Sequence, residues 1–181
     1  GDIDVCITSD EKVIGEAKKI VLPGVGSFDK GMSNLESSGL IPLLNQKVLI
    51  DKTPILGICL GMQLLSLQSE EGTKKGLGWI DAETIRFSFP KELNLKIPHM
   101  GWNYVSVKRE NPLLDINAKQ RFYFVHSYHV KCNNPSNVLA TSDFGGEFTC
   151  AVNKENIYGT QFHPEKSLRF GMSVLKNFAN L

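Results

Sequence analysis

The chain has 181 residues with 20 basic and 19 acidic side chains, a length that suits one domain with a substantial buried core. Because the charges nearly balance and 41% of the residues are hydrophobic, neither a nucleic-acid-binding protein nor a disordered chain is expected. No apolar run approaches the roughly 18 residues of a membrane helix, so no membrane partner is expected either.

The first half of the chain alternates strand-like and helix-like segments. Short apolar runs rich in Ile, Val and Leu predict strands, and polar caps followed by helical spacing predict the helices between them. This order is typical of a parallel sheet covered by helices. The segments are a strand over residues 3–7, a helix capped around Asp10 and ending near Lys18, a strand over 19–22, a helical stretch over 28–44 broken at Gly39 and Pro42, a strand over 55–58 and a helix over 60–67.

The second half changes character after a polar loop over residues 69–78, because short strands follow with few helices between them. An α/β fold with a mostly parallel central sheet and an antiparallel or mixed second portion is predicted, as one domain over residues 1–181. The predicted strands are 83–87, 104–107, 122–125, 137–141, 148–152 and 157–162, and an amphipathic helix over 167–181 begins at Ser167 and turns Leu168, Met172, Leu175 and Phe178 to one side.

A cysteine stands between two glycines where the strand over 55–58 meets the next helix. Residues 57–61 read Gly-Ile-Cys-Leu-Gly, the pattern of a nucleophile elbow that leaves the Cys59 thiol at the carboxyl edge of the sheet. Side chains at 57 and 61 would collide with neighbouring strands or substrate, and the helix N-terminus should favour a thiolate. The N–H of Leu60 would face a developing oxyanion. The alternative is a buried structural cysteine.

A histidine and a glutamate follow the last predicted strand. Pro164 keeps His163 extended, and residues two apart on an extended chain point the same way, so Glu165 can orient the imidazole. The tripeptide alone is weak evidence, because a single histidine is more often structural. Since this motif and Cys59 both terminate strands, where ligands collect in open α/β sheets, the combination predicts a Cys-His-Glu triad.

A third motif, residues 23–26, reads Pro-Gly-Val-Gly and also follows a strand. Its two glycines let the peptide reorient, so a backbone N–H could turn toward the carbonyl above Cys59 as a second oxyanion donor. The alternative is an ordinary turn. The segment lacks the spacing of a phosphate-binding loop.

The remaining cysteines, Cys6, Cys132 and Cys150, have no comparable surroundings and are interpreted as structural. No C-x-x-C pair suggests zinc and no dense framework suggests secretion, so a reducing cytoplasm and no metal are expected. His126 and His129, three apart in a strand pattern, should face opposite ways and make a poor metal pair.

The motifs PGVG, GICLGMQ and TQFHPEKS, in this order, resemble a class I glutamine amidotransferase domain of flavodoxin-like, three-layer fold. Within that family, PGVGSF, HMGWN, FVHSYHV and GGEFT are similar to the glutaminase subunit of imidazole glycerol phosphate synthase in histidine biosynthesis. The similarity runs from about residue 19 to the end. It implies an enzyme without a cofactor.

The resemblance also implies a role for each matching residue. The Cys59 thiolate would attack the glutamine amide, His163 would protonate the departing ammonia and then activate water, and Glu165 would orient His163. Oxyanion N–H groups would come from Leu60 and Val25. Glutamine would be held by Gly24, Gly26 and Gln63, with the backbone of Ser127 and Tyr128 beside it.

In the family the ammonia passes to a (β/α)₈ cyclase partner, and the resemblance implies such a heterodimer here. A site that releases ammonia needs a dry exit, because free ammonia is mostly protonated at neutral pH. The alternative for each residue of the implied interface is ordinary packing. These residues are Met100, Trp102, Asn103, Tyr123 and Lys166.

The resemblance leaves two questions open. Family members begin with a further strand and a glycine-containing loop that do not precede Gly1, so an N-terminal extension is expected in the natural protein. Two rival functions also remain: a paralogous amidotransferase that supplies ammonia for surface-polysaccharide sugar amidation, and a non-catalytic subunit that keeps the fold.

Overall fold

The computed structural model describes residues 4–181, and its central feature is a mixed sheet with helices on both faces. Its strands are β1 (Ile20–Gly24), β2 (Ile55–Cys59), β3 (Gln68–Ser69), β4 (Ala82–Arg86), β5 (His99–Val107), β6 (Gln120–His126), β7 (Tyr128–Cys132), β8 (Val138–Asp143), β9 (Glu147–Lys154) and β10 (Ile157–Thr160). Its helices are α1 (Glu11–Glu16), α2 (Phe28–Ser37), α3 (Ile41–Asn45), α4 (Leu60–Leu64) and α5 (Leu168–Ala179), with a π-helical turn over Gln46–Ile50 after α3 and short 3₁₀ turns over Lys91–Leu93, Pro135–Asn137 and Pro164–Lys166.

The main sheet has the strand order β1-β2-β10-β9-β7-β4-β3. β2 pairs in parallel with β1 on one side and β10 on the other, whereas β10, β9, β7 and β4 form successive antiparallel pairs. A second antiparallel path leaves β9 through β8 and β5 to β6. The α/β architecture with a mixed second half is thus confirmed, and the parallel part that positions the candidate site consists of β1, β2 and β10.

β2 lies at the centre of the core because all five of its residues are buried. Leu56 packs on one face against the cluster that contains Phe162 and Phe178, whereas Ile55 packs on the other against Leu65 and its neighbours. An apolar run without alternation is what a strand covered on both faces requires. The sequence-based prediction of a strand at this place is confirmed, and its carboxyl end is Cys59.

The helices of the first half lie where they were predicted, although α1 ends at Glu16 and α4 at Leu64, before the predicted residues 18 and 67. Asp10 caps α1 by accepting from the N–H groups of Lys12 and Val13. The long helical stretch is interrupted at Gly39, which adopts a φ of 72°. The interruption predicted at Pro42 is wrong, because this proline lies in the first turn of α3, where a missing N–H is tolerated. No helix among residues 4–181 has the length and hydropathy to cross a membrane.

The strand predicted over residues 3–7 is wrong for the part that the structure describes. Residues 4–7 belong to no strand, and Val5 and Ile7 are exposed, so neither side chain gains the packing that favours extended pairing. Ile3 lies outside the described residues.

Three strands depart clearly from the sequence-based prediction, and the first is the two-residue β3, which no sequence pattern predicted. β5 begins at His99, well before the predicted residue 104, and β7 was not among the predicted strands. The chain passes from β6 to β7 through Ser127 alone, without a glycine or proline to signal the change of partner strand.

The buried face of α5 is the predicted one at Leu175 and Phe178 but not at Leu168 and Met172. Gly171, Val174 and Phe178 face the core, whereas Leu168 and Met172 are exposed. The reason is that Gly171 lies directly against the backbone of Pro164, a contact that leaves no room for a side chain and fixes the rotation of the helix.

Candidate active site

Cys59 lies at the turn between β2 and α4 in a conformation that residues with a side chain rarely adopt. Its φ is 55° and its ψ is −112°, and it occupies the N-cap position of α4. Such a backbone costs on the order of 1–3 kcal/mol, so the surrounding contacts must hold the turn in place. The elbow that the sequence predicted is present, and the strain falls on the residue that carries the thiol.

Two glycines permit the contacts that hold this turn. A Cβ on Gly61 would collide with the backbone oxygen of Leu22, and one on Gly57 would lie 2.7 Å from the backbone oxygen of Gly61. The end of β1 and the start of α4 therefore touch backbone to backbone beside Cys59. A side chain at residue 61 would therefore collide with a neighbouring strand, as the sequence pattern predicted.

His163 follows β10 and is oriented by Glu165. The Nδ1 atom of the buried imidazole lies 2.7 Å from Oε1 of Glu165. Because a carboxylate accepts, Nδ1 carries the hydrogen and Nε2 is left as the basic nitrogen. Nε2 is buried and has no hydrogen-bond partner among residues 4–181, and His163 lines the same cavity as Cys59.

Ser167 fixes the backbone of His163 rather than capping α5. Its hydroxyl donates to the carbonyl of His163 at 2.6 Å and accepts from the N–H of Tyr123 at 3.0 Å. The N–H of His163 in turn donates to the carbonyl of Tyr123 at 2.9 Å. The histidine is therefore tied to β6, and the N-cap role expected for Ser167 is replaced by this link.

A cavity of about 330 Å³ joins these groups. Its walls come from the carboxyl ends of β1, β2 and β10, from the junction of β6 and β7, and from the loop after β3. The lining residues are Val25, Gly26, Cys59, Leu60, Gln63, Glu71, Val125, His126, Ser127, Tyr128, His163 and Lys166. Of the predicted glutamine-binding residues only Gly24 is absent from the lining, and it lies beside Cys59 in the β1–β2 register.

The resting thiol of Cys59 is not favoured as a thiolate. Burial raises its pKa above the usual value and outweighs the N–H of Leu60, which lowers it; Glu165 raises it further, and Lys166 and Gln161 lower it. Burial therefore opposes the thiolate that the helix N-terminus was expected to favour. α4 has only five residues, which is too short for a strong dipole to offset desolvation.

The two predicted oxyanion donors differ in their setting. The N–H of Leu60, next in the chain to Cys59, lowers the pKa of the Cys59 thiol. Val25 stands in the exposed loop after β1, and Gly26 next to it has a φ of 96°, a backbone that favours glycine. The second donor thus belongs to a loop that is free of packing on its outer side.

Glu71 is a cavity residue that the sequence patterns did not identify. Its Oε2 accepts from the N–H of Phe28 at 2.7 Å, directly after the Pro-Gly-Val-Gly loop, and its carboxylate borders the cavity. The loop that carries it is held by Asp29, which accepts from the N–H groups of Thr73 and Lys74. No local signal separates Glu71 from its neighbour Glu70, because the role depends on the path of the loop.

A directed hydrogen-bond chain runs from the cavity wall to β5. The Tyr128 carbonyl can only accept, so Nδ1 of His126, 2.7 Å away, carries a hydrogen. Nε2 of His126 then accepts from Nδ1 of His99 at 3.0 Å, and Nε2 of His99 accepts from the Asn103 side chain at 3.3 Å. Both rings are therefore held in the neutral form.

His129 does not point away from His126 as the strand pattern predicted. The ring centroids of both histidines lie near that of Phe87, at 5.2 Å for His126 and 4.6 Å for His129. The alternation rule fails because the two residues belong to different strands, β6 and β7. Residues 4–181 contain no group of three or more side chains that could hold a metal ion.

The buried histidines predict a stability that falls with acid. Burial lowers the pKa of His126 to about 3 and that of His99 to about 4. Because the unfolded chain takes up these protons near pH 6.5 and the folded chain does not, stability is full above that pH and decreases below it. Each histidine should cost on the order of 2 kcal/mol between pH 6.5 and 5. Urea unfolding at both pH values measures this loss of stability. His126→Gln should lower the number of protons that the chain takes up on unfolding by about one. If the free energy of unfolding changes with pH in the variant as it does in the wild type, the low pKa assigned to His126 is contradicted.

Four of the five predicted interface residues form one surface. Met100 and Trp102 are exposed on β5, and Trp102 meets the ring of Tyr123 on β6 at a centroid distance of 6.3 Å. Lys166 lies 5.9 Å from the centre of the Tyr123 ring, and Arg121 lies 5.4 Å from that of Trp102. We call Met100, Trp102, Arg121, Tyr123 and Lys166 the aromatic-basic surface.

Asn103, the fifth, turns to the opposite side of β5. Its side-chain amide donates to the carbonyl of Asp143 at 2.6 Å and meets Nε2 of His99. The aromatic-basic surface and the cavity share Lys166, so the two features adjoin.

The other cysteines remain unpaired in the structure and lie away from the cavity. Cys6 is exposed, Cys150 is fully buried, and burial raises the pKa of Cys132 to about 11. None of these three is among the residues that line the cavity.

Comparison with known proteins gives a family match and close relatives. A family model described as "Glutamine amidotransferase class-I" matches residues 4–181. "Imidazole glycerol phosphate synthase subunit HisH 2" of Methanococcus maripaludis is 56% identical over 97% of this chain and 86% of its own length. The protein of the same name from Pseudomonas aeruginosa is 50% identical over 93% and 83%, and "Imidazole glycerol phosphate synthase subunit HisH" of Leptospira borgpetersenii is 48% identical over 97% and 87%.

Solved structures agree on the fold. One described as "Crystal structure of glutamine amidotransferase" superposes with a TM-score of 0.74 at 17% identity, over 99% of this chain and 88% of its own. The crystal structure of a putative GMP synthase subunit from Thermoplasma acidophilum gives a TM-score of 0.65 at 24% identity, over 94% and 75%.

Proposed function

Because the chain belongs to the class I glutamine amidotransferase family, we propose that it is the glutaminase subunit of an imidazole glycerol phosphate synthase. Its substrate is glutamine, its products are glutamate and ammonia, and its curated relatives carry the name of that subunit. The observation that carries the proposal is that Cys59, in its strained turn, and His163, oriented by Glu165, line one cavity.

In the proposed first half-reaction the thiol attacks the side-chain amide. Nε2 of His163 takes the Cys59 proton as sulfur bonds to the amide carbon, and the oxyanion is held by the N–H groups of Leu60 and Val25. The tetrahedral intermediate then loses ammonia, to which His163 returns the proton. The raised pKa of the thiol supports this order, because a protonated sulfur needs a base at the moment of attack.

In the second half-reaction water releases glutamate from the thioester. Nε2 of His163 removes a proton from the water, which attacks the thioester carbon, and Cys59 leaves as a thiolate that the imidazolium reprotonates. Glu165 keeps Nδ1 protonated throughout and so maintains a single tautomer of His163.

Glutamine is proposed to bind between the loop after β1 and the β6–β7 junction. Gly24, Gly26, Ser127 and Tyr128 supply backbone along these two sides, and Gln63 lies between them. Both hydrogens of the Gln63 amide are used within the protein, so its Oε1 is left to accept from the substrate.

Glu71 is proposed to accept the α-ammonium of glutamine, since a carboxylate at the cavity wall suits a cation. Glu71→Gln keeps an acceptor for the N–H of Phe28 but removes the charge, and it should raise KM for glutamine about tenfold with a smaller change in kcat. Glu70→Gln, next in the chain but outside the cavity lining, is the matched control and should leave KM unchanged. Equal KM values in the two variants would remove Glu71 from the site.

The proposed partner is a (β/α)₈ cyclase that docks on the aromatic-basic surface. Met, Trp, Tyr and Arg are the residue types enriched in interface cores. The surface adjoins the cavity at Lys166, so a partner seated there covers the exit of ammonia and keeps it from protonation by bulk water. Asn103 does not lie on the aromatic-basic surface. We propose that it contributes to the interface indirectly, by supporting β5 from behind through its contact with His99.

The rival assignments have less support. The names of the relatives do not favour ammonia supply for polysaccharide amidation, and a non-catalytic subunit would not require the strained Cys59 turn. A cytoplasmic location is part of the proposal and is supported by four unpaired cysteines.

The decisive experiment measures glutamate formation by the chain alone and with a histidine-pathway cyclase in the presence of its ligand. We expect slow hydrolysis alone and marked stimulation by the complex. No glutamate in either condition would refute the glutaminase, whereas hydrolysis that a histidine-pathway cyclase leaves unchanged would refute the partner.

A further inference from the structure

Gln161, one residue before Phe162 and two before His163, is fully buried and reaches the candidate nucleophile. Its Nε2 lies 3.8 Å from Sγ of Cys59, within the range of an N–H···S hydrogen bond. Its backbone N–H donates to the carbonyl of Cys150 at 2.8 Å, which anchors the residue to β9. No role for this side chain follows from the triad.

The direction of this contact is fixed by a chain of amides. The Tyr128 carbonyl can only accept, so the atom of Gln63 that faces it at 3.2 Å is Nε2. The same Nε2 lies 3.1 Å from the Gln161 side chain, which must therefore present Oε1 to it. The NH₂ group of Gln161 is then the part directed at the sulfur.

We propose that Gln161 is a catalytic residue that donates an N–H to the Cys59 sulfur and stabilises the thiolate that forms during the reaction. A hydrogen bond to an anionic acceptor is shorter and about twice as strong as one to a neutral acceptor. The contact therefore gains strength when the thiol loses its proton, which is the property that accelerates a reaction.

Negative charge develops on the sulfur twice in the proposed cycle, when His163 takes the proton during attack and when Cys59 leaves the thioester, so one donor serves both steps. The inference rests on the proposed function only for the identity of the substrate. The hydrogen bond to the sulfur does not involve glutamine. The ionisable groups that line the cavity with Cys59 are His163 and Lys166 after β10, His126 at the end of β6, and Glu71 on the loop after β3. Glu165, hydrogen-bonded to His163, also acts on the charge of the thiol.

The test follows the pH dependence of Cys59 alkylation by iodoacetamide, read at each cysteine by peptide mass spectrometry. Gln161→Met removes the donor, and the rate at Cys59 near pH 7.5 should fall about five- to tenfold as its pH midpoint rises. Gln161→Glu keeps the acceptor for Gln63 but puts a carboxylate beside the sulfur, so the midpoint should rise further.

Two other cysteines serve as internal controls. Cys6 is exposed and should react alike in all proteins, whereas Cys150 is fully buried and should stay unmodified as long as the fold is intact. A packing role for Gln161 predicts that the isosteric Glu variant is the milder one. A Cys59 profile equal to that of the wild type in either variant, with Cys150 protected, would overturn the proposal.

A measurement on the wild-type protein decides the matter even if the variants unfold. The side-chain NH₂ signal of Gln161 in a ¹H–¹⁵N spectrum should move with the pH midpoint of Cys59 alkylation, and a signal that ignores that midpoint overturns the proposal. Neither the alkylation rate nor the ¹H–¹⁵N signal requires glutamine. A wild-type chain that does not hydrolyse glutamine would therefore refute the proposed function without deciding the proposal for Gln161.

Discussion

Cys59→Ala should abolish glutamine hydrolysis, with kcat lowered at least about 10⁴-fold in the complex with the cyclase. The sulfur is the only cysteine thiol in the cavity lining within residues 4–181, and without it no thioester forms. Alanine keeps a Cβ at the strained turn, so the fold and the substrate cavity should persist. Glutamate release and the dissociation constant of glutamine, measured separately, distinguish lost chemistry from lost binding.

Cys150→Ala is the matched control for that variant. Its thiol is buried, as that of Cys59 is, but it faces the core, and burial raises its pKa well above the usual value. We expect near wild-type kcat with a modest loss of stability from the small cavity. Comparable losses of activity in the two variants would mean that Cys59 acts through packing and would remove it from the mechanism.

Gly61→Ala should be the most destabilising single methyl in the active-site region, with a loss of about 3 kcal/mol or more. The added Cβ would meet the backbone oxygen of Leu22, and a backbone atom in a strand cannot swing aside as a flexible side chain can. To admit it, β1 would have to separate from α4, which would also disturb the turn at Cys59. Urea unfolding measures the loss.

Gly15→Ala tests whether that loss comes from the collision. Gly15 lies within α1, and a Cβ there would meet nothing within 4 Å, so alanine should be neutral or stabilising by up to about 1 kcal/mol. If the two variants unfold at the same urea concentration, the close approach of β1 and α4 is not the reason that residue 61 must be a glycine.

The candidate catalytic residues could be predicted from sequence because each depends on a short contiguous pattern. A five-residue run defines the turn at Cys59, and an extended tripeptide sets His163 beside Glu165. Glu71 has no such pattern, because its position depends on Asp29, which holds the loop from 44 and 45 residues away in the chain. Gln161 likewise acquires its contact only when β10 pairs with β2.

The other differences between the sequence-based predictions and the structure have the same origin. α5 was assigned a face from its apolar spacing, but the backbone contact between Gly171 and Pro164 sets its rotation, and a glycine carries no weight in such a pattern. The thiolate expected at Cys59 was inferred from a helix terminus whose length and burial only the folded chain determines. Local patterns predicted where groups lie, and the electrostatic balance required the assembled core.

The Tyr128 carbonyl accepts from both His126 and Gln63 and thus joins two hydrogen-bond chains, one leading to Asn103 and the other to the Cys59 sulfur. Side chains in such chains cannot drift independently during evolution, because replacing one leaves its neighbour with a buried donor or acceptor and no partner. Substitutions along the path should therefore arrive in compensating pairs. The route by which this active site diverges is limited by a single backbone oxygen.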